Sequence, residues 1–233
     1  MNKQSSIYTI VYIIVLAGVV GAVLAMTSMG LRERQQANID ADKMRQILSA
    51  IRVVPDKGMI ATDFNKFVVS QLVVNEKGDS IGNDAFGIDM ASESKVAASE
   101  RRLPVYVCDV DGGRKYVVPV YGAGLWGPIW GYVSLDADGS TIYGAYFAHE
   151  GETPGLGAEI EKPVFSDQFR GKVLLKNGKF LPVNVLKKGV KPKAGEDYVD
   201  AVSGGTITSK GVASMLDDGL VPYKAYLQSL TGK

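Results

Sequence analysis

The stretch Asp200-Ala201-Val202-Ser203-Gly204-Gly205-Thr206-Ile207-Thr208-Ser209 gathers four hydroxyls, on Ser203, Thr206, Thr208 and Ser209, around a pair of glycines. Gly204 and Gly205 let the backbone turn tightly and be approached closely, and a helix beginning just beyond them would offer unpaired N–H groups to an anion. A phosphoryl group suits such a place, esterified to one of the hydroxyls; the plainer reading is that they cap the helix. A second stretch, His149-Glu150-Gly151-Glu152-Thr153-Pro154-Gly155-Leu156-Gly157, is a turn-rich loop whose glycines permit close approach of a flat ligand. His149 with Glu152 could bind a metal, though a single histidine leaves such a site short of ligands, or act as acid and base, or the loop could be an ordinary surface turn. The third, Gly122-Ala123-Gly124-Leu125-Trp126-Gly127-Pro128-Ile129-Trp130-Gly131, holds both tryptophans of the chain. Trp126 and Trp130 could stack on a heterocycle, but core filling is the expected role.

Composition narrows the chemistry. Cys108 is the only cysteine and His149 the only histidine of the 233 residues, so the chain cannot close an intrachain disulfide or supply a thiolate zinc site or cysteine-ligated cluster alone. No metal site and no catalytic residue are expected. With a single histidine and no Gly-x-Ser-x-Gly elbow, a hydrolase is disfavoured. The 26 Lys+Arg nearly balance the 25 Asp+Glu, which argues against nucleic acid as a partner. Redox chemistry would need an organic cofactor.

The elements that must hold these segments are legible in part. Ile7 to Leu31 contains no charge and is long enough to cross a hydrocarbon core of about 30 Å. It is longer than the apolar region of a signal peptide and no clear cleavage site follows, so a retained transmembrane helix is expected. Lys3 on one side and Arg32 and Arg34 on the other do not by themselves orient it. Helical spacing from Gln35 to Ile51 predicts a helix stopped by Val53-Val54-Pro55, whereas Phe64 to Val74 fits helix or strand. Three hairpins are predicted: Val105–Val110 with Lys115–Val120, Tyr132–Leu135 with Thr141–Ala148, and Lys172–Leu175 with Phe180–Val185. A strand ending at Val202 and a closing helix over Ser209–Leu227, weakened by Gly219 and Pro222, complete an α+β domain with a mostly antiparallel sheet and flanking helices.

Taken together, Gly-Leu-Trp-Gly-Pro-Ile-Trp-Gly at 124–131, His-Glu-Gly-Glu-Thr-Pro-Gly-Leu-Gly at 149–157 and Ser-Gly-Gly-Thr at 203–206 give a stronger signal than any one of them. Over nearly its whole length the chain resembles the C subunit of the sodium-translocating NADH:quinone oxidoreductases and, more distantly, the G subunit of the Rnf complexes. The resemblance implies a cytoplasmic tail at 1–6, a transmembrane helix at 7–31, a membrane-proximal region at 32–100 and an FMN-binding domain at 101–233. In that family a flavin transferase uses FAD and magnesium to attach FMN, through its phosphate, to the threonine of an Asp-x-x-Ser/Thr-Gly-Ala-Thr motif. The motif falls on Asp200, Ser203, Gly204, Gly205 and Thr206, with Gly205 where the family usually has alanine; Thr208 is the rival acceptor. His149, Glu152, Thr153, Leu156 and Gly157 are implied to line the flavin. The implied role is an electron relay within a complex of several subunits in the bacterial inner membrane, the domain facing the periplasm and the NADH and quinone sites lying on the other subunits. No dinucleotide-binding Gly-x-Gly-x-x-Gly fingerprint is read in this chain. The alternatives are an Rnf-type or other FMN-carrying subunit and an anchored binding module without cofactor.

Overall fold

The computed structural model describes residues 6–56, 58–176, 178–193 and 195–231. Most of the tail expected at 1–6, including Lys3, and Asn177 of the third predicted turn lie outside the described residues. The chain divides into two compact units, 1–43 and 44–233.

The first unit holds most of helix α1 (Ser6–Ala50). Its apolar window has a mean hydropathy of 2.6, which makes it the one helix among the described residues long and apolar enough to cross a membrane. The helix expected over Gln35–Ile51 is the continuation of α1 beyond the apolar run. No proline or glycine interrupts residues 31–50, and after Ala50 the chain turns away through Ile51 and Arg52, whose φ is +63°.

In the second unit an antiparallel sheet of six strands has the order β2-β1-β3-β4-β5-β6, formed by β1 (Val68–Val74), β2 (Ser80–Gly82), β3 (Leu103–Val110), β4 (Gly113–Ala123), β5 (Pro128–Leu135) and β6 (Ile142–His149). Phe64–Val74, where periodicity does not choose, contains both states: α2 (Ile60–Phe67) runs directly into β1. The first two predicted hairpins form, the tight one turning at Asp111 and Gly112, both at positive φ.

Alternation along the strands divides the core between the two faces of the sheet. Val105, Val107, Val118, Val120, Val133 and Phe147 belong to one cluster with Val212, Met215, Leu216 and Leu220 of α5 (Thr206–Leu220). Tyr106, Cys108, Val110, Val117 and Tyr132 belong to the other, with Ile47, Leu48 and Ile51 at the end of α1 and Phe64 of α2. Both faces are covered, which is why Leu103–Cys108 are buried without a break.

The third hairpin is much reduced. Only β7 (Leu175–Lys176) and β8 (Lys179–Phe180) pair as a hairpin, while β9 (Asn184–Leu186) pairs in parallel with β10 (Tyr198–Asp200). Pro182 interrupts the run and cannot donate to a ladder. The closing helix is also divided: α5 starts at Thr206, three residues before the expected start, and ends at Leu220, then a short 3₁₀ turn containing Pro222 leads into α6 (Lys224–Leu230). Two short helices, α3 (Met90–Glu93) and α4 (Pro163–Ser166), complete the unit.

Candidate functional site

Strand β10 ends at Asp200, and the chain then makes one turn into α5. The Gly205 amide donates to the Val202 carbonyl at 3.1 Å, and Gly204 within that turn has φ +76°. The Val202 amide donates to Ser209 Oγ at 3.0 Å, so Ser209 is buried and engaged with the turn behind it. Gly205 is the N-cap, and no side chain caps α5. The first N–H groups of the helix therefore remain available to an anion.

The hydroxyls of this segment have different surroundings. Ser203 and Thr206 are exposed, whereas Thr208 and Ser209 are buried. Thr208, two residues beyond Thr206 and so turned about 200° around the helix, points inward and donates its hydroxyl to Glu152 Oε2 at 2.5 Å.

Glu152 is 5% exposed and touches three separate segments. Besides Thr208, its Oε1 accepts the Trp126 amide at 2.9 Å, and its own amide donates to His149 Nδ1 at 3.1 Å. Burial pushes the Glu152 carboxyl up. The Thr208 hydroxyl and the Trp126 and Leu125 amides, aided by His149, outweigh that and hold it below the usual carboxylate range. A Cβ at Gly124 or Gly157 would collide with the Glu152 carboxylate, so both glycines are needed for close approach. His149 is half-buried and engaged with Glu152 and, at 3.8 Å, with Glu161.

The third segment is a hairpin tip. The Gly124 amide donates to the Gly127 carbonyl at 2.8 Å, closing the loop between β4 and β5. Trp126 is 69% exposed on this tip, so core packing does not hold for it. Trp130, within β5, is partly buried and donates its indole N–H to Gln46 at 2.9 Å. Gly122, Gly124 and Gly127 do have the Gly-x-Gly-x-x-Gly spacing that was not read in the sequence. They join two antiparallel strands, not a strand to a helix, and make no dinucleotide site.

The three segments carry exposed apolar side chains, Leu125, Trp126, Leu156 and Ile207, while Ser203 and Lys210 are the exposed polar residues flanking Thr206 along the chain. Leu156 packs against Gly204, where a Cβ would lie 2.5 Å from its Cδ2. Thr153 is exposed and its carbonyl accepts the Leu156 and Ala158 amides, which folds the loop over. Beside the turn lies a cavity of about 470 Å³ lined by residues that include Lys162, Val164, Phe165, Gln168, Asp200 and Ser203. Gln168 grips Asp200 like a neighbouring strand, accepting its amide at 2.8 Å and donating to its carbonyl at 3.4 Å. Phe165 and Phe169, packed on Phe147, hold the segment that carries it. Leu125 and Ile207 stand within the segments read from the sequence without a role assigned to them there, and Gln168 lies outside those segments.

This geometry fits a phosphate-bearing flat cofactor: an accessible hydroxyl at an uncapped helix start, with exposed apolar side chains beside it. Among the described residues no cluster of metal-ligating side chains occurs.

Residues 124–221 match the FMN-binding domain family. The chain is 31% identical to the C subunit of the Na(+)-translocating NADH-quinone reductase of Vibrio anguillarum, over 93% of this chain and 91% of that protein. It is 32% identical to the corresponding C subunit of Pasteurella multocida, over 91% and 88%. The crystal structure of the Na(+)-translocating NADH-quinone reductase C subunit of Parabacteroides distasonis superposes with a TM-score of 0.79 at 50% identity, covering 84% of this chain and 96% of that one. The NqrC structure of Shewanella oneidensis superposes with a TM-score of 0.71 at 28% identity, covering 84% and 100%.

Proposed function

The chain belongs to the family of the C subunit of the Na(+)-translocating NADH-quinone reductase, and on that premise we propose that Thr206 carries its FMN as a covalent phosphoester. The protein is the membrane-anchored, FMN-carrying electron-transfer subunit of that oxidoreductase complex, and other subunits of the complex are its partners. FMN, when bound, supplies the reversible uptake and release of electrons.

The observation that carries the assignment of Thr206 is the contrast between the two threonines: Thr206 is exposed at the uncapped start of α5, while Thr208 is buried and bonded to Glu152. In the attachment step Thr206 Oγ1 bonds to the FMN-bearing phosphorus of FAD, the pyrophosphate bond breaks, AMP leaves, and the hydroxyl proton passes to a base of the transferase. The N–H groups of the first turn of α5 would offer donors to the phosphate when FMN is attached. Ser203, Gly204 and Gly205 shape the turn, Asp200 sits at its root, and Leu125, Trp126, Leu156 and Ile207 offer apolar surface to the ring. Thr153 and Gly157 hold the loop that presents Leu156, while His149 and Glu152 act from beneath it.

A covalent link keeps the cofactor on a carrier whose site opens to water. We place the second unit on the periplasmic side of the inner membrane, as the resemblance implies, because the positive-inside rule loses weight for a long translocated domain.

Intact mass of the denatured chain, after co-expression with a flavin transferase, tests the attachment. One added FMN in the parent and none in Thr206→Ala is the expected result. An unmodified parent would indicate an anchored module without covalent flavin, and a modified variant would move the site to Thr208 or elsewhere. For orientation, alkaline phosphatase fused to the C-terminus should be active; an inactive fusion places the domain in the cytoplasm.

A further inference from the structure

We infer that Glu152 is a positioning residue for flavin attachment: its buried carboxylate latches the hairpin tip and the start of α5 to the loop it belongs to, and so sets where Thr206 is presented. The inference rests on Thr206 being the acceptor and goes beyond it by assigning Glu152 away from the flavin surface. A side chain lining the ring would be expected at the surface, but Glu152 is 5% exposed.

Among the described residues, no other side chain is seen bonded to all three segments. The tip at 124–127 is closed by the bond between Gly124 and Gly127, and Oε1 of Glu152 accepts the Trp126 amide. The first turn of α5 has no side-chain cap, and Oε2 takes the Thr208 hydroxyl. The loop at 149–157 carries Glu152 itself, and four residues further along Leu156 lies against Gly204 of the acceptor turn. Gly124 and Gly157 leave room for the carboxylate where any side chain would strike it. Two glycines, a threonine and two backbone amides thus converge on one carboxylate.

Removing the carboxylate would leave buried donors without an acceptor and free the three segments to shift relative to one another. Displacing a reacting group by about 1 Å can slow a reaction about a hundredfold, so the attachment rate is a sensitive gauge. Glutamine has the same shape. Its oxygen can still accept the Trp126 amide, and its amide can donate to Thr208 Oγ1 once that hydroxyl rotates. Glu152→Gln therefore separates position from charge.

The test uses the full chain in detergent with purified flavin transferase, FAD and magnesium. Initial attachment rates are read by intact mass, at a temperature where circular dichroism shows each variant folded. The fluorescence anisotropy of the attached flavin is read in parallel. Glu152→Ala should attach FMN at least about tenfold more slowly and hold it with lower anisotropy. Glu152→Gln should stay within about threefold of the parent in rate and keep the parent's anisotropy. Thr208→Val, which keeps the side-chain shape, serves if the alanine variant does not fold. It should also slow attachment, and in the double variant with Glu152→Ala it should add no further loss, because the two residues share one interaction. Parental rate and anisotropy in both Glu152→Ala and Thr208→Val would overturn the inference while leaving Thr206 as acceptor. Equal loss in Glu152→Gln and Glu152→Ala would overturn it in favour of a role for the charge. A parent that takes up no FMN, or takes it up with Thr206 replaced, would overturn the reading beneath it as well.

Discussion

The hydroxyl of Ser134, in the middle of the sheet, lies 2.6 Å from the backbone carbonyl of Ala50, the last residue of α1. The end of a helix leaves carbonyls without intrahelical partners, and here a strand supplies one. Ser134 is fully buried and its single proton is shared with the Gly144 carbonyl at 3.0 Å. Ser134→Ala should therefore destabilise the folded domain by about 1–3 kcal/mol, the range for leaving a buried polar group unsatisfied. At about 2–4 °C per kcal/mol for a chain of this size, thermal unfolding would fall by several degrees, and an unchanged midpoint would mean that water replaces the hydroxyl.

The two glycines of the acceptor turn should respond differently to alanine. Gly204 has φ +76° and a Cβ there would collide with Leu156, so Gly204→Ala should cost about 1–2 kcal/mol or more and slow FMN attachment. Gly205 has φ −103° and its added Cβ would meet Val202, Leu156 and Gly157 at 3.1–3.3 Å. Gly205→Ala, the residue more usual in the family, should fold, stay within about 1 kcal/mol of the parent and remain an acceptor substrate. Denaturant unfolding with intact mass reads both, and a strongly destabilised Gly205→Ala would mean that the neighbouring loop cannot yield.

Acid should unlatch Glu152. Its folded pKa is depressed, so its contribution to stability is complete above the unfolded value of about 4.3 and is lost as pH falls through the lower folded value. Stability measured from pH 6 down to pH 3 should fall less steeply in Glu152→Gln than in the parent. Parallel curves would show that the group titrates alike in folded and unfolded chains.

The tryptophans should report two environments. Trp126 is exposed at the hairpin tip and Trp130 is partly buried and bonded to Gln46. Trp126→Phe should remove the red-shifted, iodide-quenched component of the emission, and Trp130→Phe the less accessible one. Equal quenching of the two single-tryptophan proteins would contradict an exposed tip.

Much was legible from local order. A charge-free run from Ile7 to Leu31, the turn at Asp111-Gly112 and the three glycine-bearing segments each act through neighbours in sequence, and periodicity and turn chemistry are local properties. The same locality explains the misreadings. Lys172–Val185 alternates well enough for a hairpin, yet β9 is paired by β10 from outside that stretch. Trp126 has the composition of a core residue and the position of a loop tip. By itself, then, the sequence determined an apolar anchor, an antiparallel α+β domain and a short segment rich in hydroxyls. Tertiary structure decided which of the two threonines faces water, because that depends on how α5 is rotated against the sheet and on Glu152, which is 56 residues from Thr208 along the chain and bonded to it in the fold.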